Sequence, residues 1–408
     1  MITRIELEGF RSFRDCAFDL APFTVLVGQN GSGKTNLLEA IDLAAQLTGG
    51  ADTYTWWESS EGVHWTADLR PGGDRRGRVV DLFHRYGDGT ATNRIRIVVC
   101  FLQSDARNGM RHLRLDLDIT RERESERPDV RGTATLLHEA PGEWGLTKEQ
   151  VAEIRRNASK GPTFERSSPG GRWYGLAPDA GGARQDADLH DDARLARDAH
   201  NLSAVLGRLF SEGAGAAREA LLLKADAVAV LPGLTDLRST PDVDKGVWEL
   251  ELDYRDTAPT PARLVSDGTL HVLSVLTAAH DRGGPDEYSY VHHGRRFNDC
   301  STLMVEDVEN GLHPGQVKEL VRRLRRCTGA ATLQQIIVTT HSPVVLAAVY
   351  PVHPRDVLFA DTVTRVGGGE TPSRHSRVRP LAESGERGTY VPAREARQYL
   401  ETAQAGSS

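Results

Sequence analysis

One octapeptide does most to restrict what this 408-residue chain can fold into: Gly28-Gln29-Asn30-Gly31-Ser32-Gly33-Lys34-Thr35. It follows the apolar run Phe23-Thr24-Val25-Leu26-Val27 and precedes Leu37, Leu38, Ile41, Ala44, Ala45 and Leu47 at helical spacing. A short continuous apolar run suits a strand covered on both faces. The later spacing suits an amphipathic helix. Strand, glycine turn and helix thus frame a complete G-x-x-x-x-G-K-[ST] sequence. Glycines allow successive N–H groups to turn inward toward phosphate oxygens, and the helix presents its positive N-terminal end to the same anion. Lys34 would supply a mobile charge to the β- and γ-phosphates, and the Thr35 hydroxyl a ligand for Mg²⁺. Gly28, Gln29, Asn30, Gly31, Ser32, Gly33, Lys34, Thr35 and Asn36 are therefore the candidate nucleotide contacts.

The rest of the chain reads as α/β. Strict alternation of Leu113, Leu115, Leu117 and Ile119 with charged neighbours marks a half-buried strand, and 95–102 is nearly all apolar. Residues 1–120 are expected to form the first part of the domain, with a β-rich lobe. Residues 121–246 read as a mostly helical insertion, with helices near 148–157, 191–210 and 216–228 and a flexible Gly/Pro/Ser-rich loop at 160–190. From 247 to 365 strands and helices alternate, which predicts a mostly parallel sheet with covering helices. Residues 366–408 read as a tail.

Two strand ends in that last part carry chemistry. Leu303-Met304-Val305 runs into Glu306-Asp307, and in a phosphate-loop enzyme the first acid holds Mg²⁺ while the next polarises the attacking water. Val338-Thr339-Thr340 runs into His341-Ser342-Pro343, where an imidazole can hydrogen-bond phosphate and water. Upstream, Ser266-Asp267-Gly268-Thr269 opens a helix. It offers a hydroxyl and free N–H groups to an anion, or merely an N-cap.

Taken together these motifs resemble the ABC-type ATPase heads of the RecF/SMC/OLD group, the AAA family ATPases. Ile5-Glu6-Leu7-Glu8-Gly9-Phe10-Arg11-Ser12-Phe13 is similar to that family's first strand and turn, and Ser266 to Thr269 to its signature. Glu306-Asp307 through Asn310-Gly311-Leu312-His313-Pro314 is similar to its Walker B and D-loop, and His341 to its switch histidine. The resemblance implies a P-loop NTPase fold, ATP with Mg²⁺ held by Thr35 and Glu306, and Asp307 as the base. It also implies a homodimer or higher even oligomer formed on ATP, with Ser266 and Gly268 of one copy completing the site of the other. Two departures stand out. The family usually places Glu where this chain has Asp307, one methylene shorter, which predicts slow hydrolysis. OLD-type relatives carry a C-terminal Toprim nuclease, whereas no acidic triad follows Pro343 here. The chain is expected to stand alone and to act through a separate effector, such as a nuclease, in DNA maintenance or anti-phage defence. The alternatives are an ATP-gated scaffold restraining a toxic partner and, more weakly, a transporter subunit. Gln103 is the candidate glutamine lid.

Composition narrows the remaining choices. Fifty basic against 57 acidic residues give a net charge of −7, so nucleic acid would need a local patch such as Arg322, Arg323, Arg325 and Arg326. Cys16, Cys100, Cys300 and Cys327 lie far apart, which argues against a zinc site or disulfide framework. No apolar run reaches the length of a membrane span, and charges interrupt any leader-like start. A cytoplasmic protein is expected.

Overall fold

A computed structural model describes residues 1–49, 55–59, 62–68, 79–105, 109–121, 128–142, 144–159, 172–192, 194–211, 214–281, 300–367, 370–386 and 388–405. Its centre is a six-stranded sheet in the order Glu370–Pro380, Val357–Gly367, Phe23–Val27, Gln334–Thr340, Ser301–Val305, Arg172–Leu176. All neighbours are parallel except the first pair. Alternation along the strands decides which face each side chain serves. Phe23, Val25 and Val27 turn to one side, with Leu303, Val305, Ile336 and Val338, and pack against the helices Leu202–Ser211, Asp267–His280, Pro314–Arg326 and Pro343–Val349. Leu26, Met304, Ile337 and Leu358 turn to the other side. There they meet Leu37, Leu38, Ile41 and Ala44 of the phosphate-loop helix Lys34–Gly49. Burial on both faces is what a parallel sheet requires.

That second core also contains the inner face of a seven-stranded antiparallel sheet, in the order Phe13–Asp19, Ile2–Phe10, Arg94–Asp105, Gly109–Thr120, Asp129–Leu136, Gly62–Asp68, Thr55–Ser59. Leu113, Leu115, Leu117 and Ile119 are fully buried while Arg96 and Asp116, diagonal to each other across the strands, pair at 2.5 Å on the wet face. The expected β-rich lobe is this sheet, and the phosphate-loop helix lies between it and the parallel sheet.

The middle of the chain is more strand-rich than its composition implies. Asp129–Leu136 extends the N-terminal sheet, and Arg172–Leu176 is the edge of the parallel sheet beside Ser301–Val305. Leu234–Asp242 and Val247–Tyr254 form a hairpin. Of the stretch read as a flexible loop at 160–190, residues 160–171 lie outside the described residues, while 172–176 is strand. The helix expected over 191–210 begins only at Leu202. The Asn201 side chain accepts from Ala196 N and donates to Arg194 O, and Ala199 takes a positive φ of 63°, so 194–201 is a fixed irregular arm. The tail read at 366–408 supplies the antiparallel edge strand Glu370–Pro380 and the helix Ala393–Ala405.

Candidate nucleotide site

Register explains why residues far apart in sequence converge. Val27 pairs with Thr340, and Val305 with Val338, so three adjacent parallel strands end on one side of the sheet. Gly28, His341 and Glu306 therefore emerge side by side, about 4.8 Å from strand to strand. The crevice beyond the carboxyl ends of such strands is where open α/β sheets bind ligands.

The 28–35 loop is shaped by backbone freedom and by its neighbours. Gly31 and Gly33 take φ of 78° and 100°, the left-handed region that favours glycine. At Gly33 a Cβ would also clash with Ser376 Oγ of the edge strand. Gly28 N donates to Thr340 O at 3.1 Å, tying the loop to the histidine strand. Lys34 is buried and arches back to donate to Gly28 O at 2.7 Å and Gln29 O at 3.1 Å. Burial lowers its ammonium below the usual lysine range, while the Asp307 and Glu309 carboxylates pull the other way. Ser32 Oγ is buried without a hydrogen-bond partner. A buried cation, an unsatisfied hydroxyl and left-handed glycines form a cradle that fits an anion. Gln29, Asn30 and Gly31 are exposed. Asn36 faces away, its amide donating to Ser12 Oγ at 2.7 Å, and Ser376 donates to the same oxygen at 2.8 Å. Asn36 thus braces the loop against the β lobe.

Thr35 Oγ1 lies 3.3 Å from Glu306 Oε2, joining the helix start to the acidic strand end. A hydroxyl and a carboxylate are the hard oxygen donors Mg²⁺ takes, so Thr35 and Glu306 fit that ion. Asp307, at a left-handed φ of 44°, accepts from Asn310 N through its carbonyl at 2.9 Å and donates its own N–H to Thr339 Oγ1 at 3.0 Å. Its carboxylate stands 3.6 Å from His341 Nδ1 and is half exposed. Glu309 is a residue that motif reading missed. Its Oε1 accepts from Thr340 Oγ1, His341 N and Ser342 N at 2.8–3.0 Å and lies 3.3 Å from His341 Nδ1. It fastens the histidine loop to the D-loop turn, and its position two residues past Asp307 was the available signal. Tyr399, in the C-terminal helix, donates to His341 O at 3.1 Å.

Ser266 and Gly268 do not join this group. Ser266 Oγ is exposed and caps its helix through Thr269 N, and Gly268 lies so close to Gly311 that a Cβ would strike its carbonyl oxygen. Gln103 is also elsewhere. It lies beyond the Met1 end of its sheet, bonded to Arg111, whereas Ser12 at the opposite end of the neighbouring strand touches the phosphate-loop helix. A strand of nine residues spans about 30 Å, so Gln103 is no lid for this site.

Residues 1–105 match the family described as "AAA ATPase domain", and residues 154–347 the one described as "AAA domain, putative AbiEii toxin, Type IV TA system". Among curated proteins, the chain is similar to the DNA replication and repair protein RecF of Synechococcus sp. (strain JA-2-3B'a(2-13)), 56% identical over 45 residues, 10% of this chain and 12% of that one. It is similar to the OLD nuclease of Thermus scotoductus, 46% identical over 43 residues, 10% of this chain and 8% of that one. These matches support an ABC-type ATPase of the group that holds RecF and the OLD nuclease. The matched stretches span about a tenth of the length of these curated relatives. Among solved structures it resembles the Smc head domain with an extended coiled coil bound to the C-terminal domain of ScpA from Pyrococcus furiosus, with 13% identity over 99% of both chains and a TM-score of 0.49. No helix among the described residues of this ATPase is long and apolar enough to cross a membrane.

The arginine cluster on the helix Pro314–Arg326 is largely committed within the ATPase. Arg322 and Arg323 pair with Glu319, Arg323 also with Asp226, and Arg325 with Asp356. The residues 282–300, an insertion of open role in the sequence, lie outside the described residues except for Cys300.

Proposed function

We propose that this chain binds Mg²⁺ and ATP at the 28–35 loop, pairs head to tail with a second copy on ATP, and hydrolyses it slowly to gate a separate effector. The observation that carries the reading is the convergence, at three neighbouring strand ends, of Lys34, the Thr35–Glu306 pair and the Asp307–Glu309–His341 group. Backbone N–H groups and Lys34 bind and orient the phosphates. Thr35 and Glu306 hold Mg²⁺, which when bound neutralises phosphate charge. Asp307 takes the proton of the attacking water, and His341, steadied by Glu309, hydrogen-bonds the terminal phosphate. Ser266, exposed at a helix start, and Gly268 just behind it, both away from their own chain's loop, would meet the ATP held by the second copy. DNA repair or maintenance and anti-phage defence are the settings that the RecF and OLD relatives and the toxin–antitoxin family description support.

The short Asp307 side chain favours a second reading, a scaffold that binds ATP, barely turns it over, and restrains a toxic partner. Phosphate release separates the two, with Lys34→Ala as control. Steady turnover in the wild type, lost in Lys34→Ala, supports the motor. Tight ATP binding without turnover supports the scaffold. Light scattering of Asp307→Ala is expected to show a doubled mass with ATP, and an unchanged mass overturns the head-to-tail pairing.

A further inference from the structure

Arg197 enters the site from a stretch that carries no motif. Its guanidinium forks, with Nη1 3.0 Å from Asp42 Oδ2 and Nη2 3.0 Å from Glu306 Oε1. Asp42 lies seven residues after Thr35, two turns along the same face of the phosphate-loop helix. One helix face thus brackets Glu306. Thr35 meets Oε2 directly, and Asp42 meets Oε1 through the arginine. Gly175 leaves room for this, since a Cβ there would come within 3.2 Å of the Asp42 carboxylate.

The arm that delivers Arg197 is built rather than loose. Ala177 N donates to Arg197 O and Asp179 N to Asp198 O, both at 2.9 Å. Glu306 N donates to Leu176 O at 3.1 Å, so one strand end holds the backbones of both partners. Arg194 packs over the Tyr174 ring at 4.1 Å, and the Tyr174 hydroxyl donates to Leu195 O. A guanidinium that spans two carboxylates fixes one oxygen of each through a charge-assisted hydrogen bond from its rigid fork. Partners of this kind, which hold the far oxygen of a metal-binding carboxylate, tune the metal without touching it.

We propose that Arg197 is a positioning residue: it commits Glu306 Oε1 and holds Oε2 beside Thr35, presenting one oxygen to the cation that accompanies the nucleotide. The inference rests on the proposed Mg-ATP site. Arg197 acts through Glu306 and is not itself a phosphate ligand.

The test is binding of a fluorescent ATP analogue by the full chain, titrated with Mg²⁺ and repeated in EDTA, with a thermal melt of each variant. Arg197→Ala is expected to raise the Mg²⁺ concentration needed for tight binding by about 10–100-fold, while affinity in EDTA stays at the wild-type value. Arg197→Lys recovers part of the loss, because one ammonium can serve only one of the two carboxylates. Asp42→Asn shifts the Mg²⁺ requirement in the same direction by less, and carries the test if Arg197→Ala does not fold. Equal loss with and without Mg²⁺ overturns the proposal in favour of structural support alone. A lowered Mg²⁺ requirement overturns it in favour of a competing counter-ion. A wild type that binds no nucleotide in either medium overturns the Mg-ATP reading itself, an outcome distinct from both.

Discussion

Asp307 is the side chain that would set the rate of the proposed hydrolysis. Its φ of 44° is a conformation that Asp adopts more readily than most residues, because its short polar side chain can hydrogen-bond locally. The carboxylate stands 3.6 Å from His341 Nδ1 and is half exposed, within reach of water. A glutamate would extend one methylene farther at some backbone cost. Asp307→Glu is expected to raise phosphate release several-fold and to lower the melting temperature slightly, and a several-fold drop in turnover would overturn the short-base explanation. The placement of Lys34, Thr35 and Glu306 was legible because each lies inside a contiguous motif whose geometry is local. Glu309 and Arg197 were not. Their functions depend on partners that the fold brings in from 31 and 109 residues away.

At the scale of elements, an ion network ties three helices together on the far side of the parallel sheet. Asp226 of the helix Ala214–Val230 accepts from His280 at 2.9 Å and from Arg323 at 2.8 Å, and Glu219 and Cys327 border the same imidazole. Burial would push His280 down, but its bonds with Asp226, Cys327 and Glu219 outweigh that and raise it to about 11. An unfolded histidine titrates near about 6.5. The folded value lies above it, so the network's contribution is complete below about pH 6.5 and is lost as pH rises toward 11. Asp226→Asn is expected to cost about 3–5 kcal/mol near neutrality, since it strands a buried charge. It should also flatten the decline in stability from pH 7 to 10. Urea unfolding at several pH values checks both, and a variant with the wild-type pH slope would count against the assignment. Nothing in the sequence marks positions 226, 280 and 323 as partners. The helices themselves were legible from spacing, whereas the start of the helix expected at 191 was not. An asparagine side chain turned back onto residues 191–196 and a left-handed alanine there override apolar periodicity.

At the scale of the whole molecule, the stretch 366–408 closes the site's surroundings. Ser376 packs against Gly33 and shares Ser12 with Asn36, Glu370–Pro380 covers a sheet edge, and Tyr399 holds the His341 carbonyl. Removal of 366–408 would expose the strand Val357–Gly367 and unsupport the phosphate loop. A chain ending at residue 365 is expected to melt at least several degrees lower and to bind ATP more weakly. Unchanged melting and binding would show that the stretch is a dispensable tail after all.

The sequence by itself determined that a phosphate loop lies between a strand and a helix, that two acids and a histidine end later strands, and that the net charge of −7 leaves no general attraction for nucleic acid. Those are local facts, written in contiguous residues and in periods of two and of three to four. Tertiary structure alone decided which strands are neighbours and that the sheet has an edge strand drawn from residues 172–176. It alone delivers Arg197 to Glu306 and brings the apparent tail against the phosphate loop and His341. The reason is physical: strand order and side-chain convergence come from burying both faces of a parallel sheet at once, and that constraint acts across the whole chain.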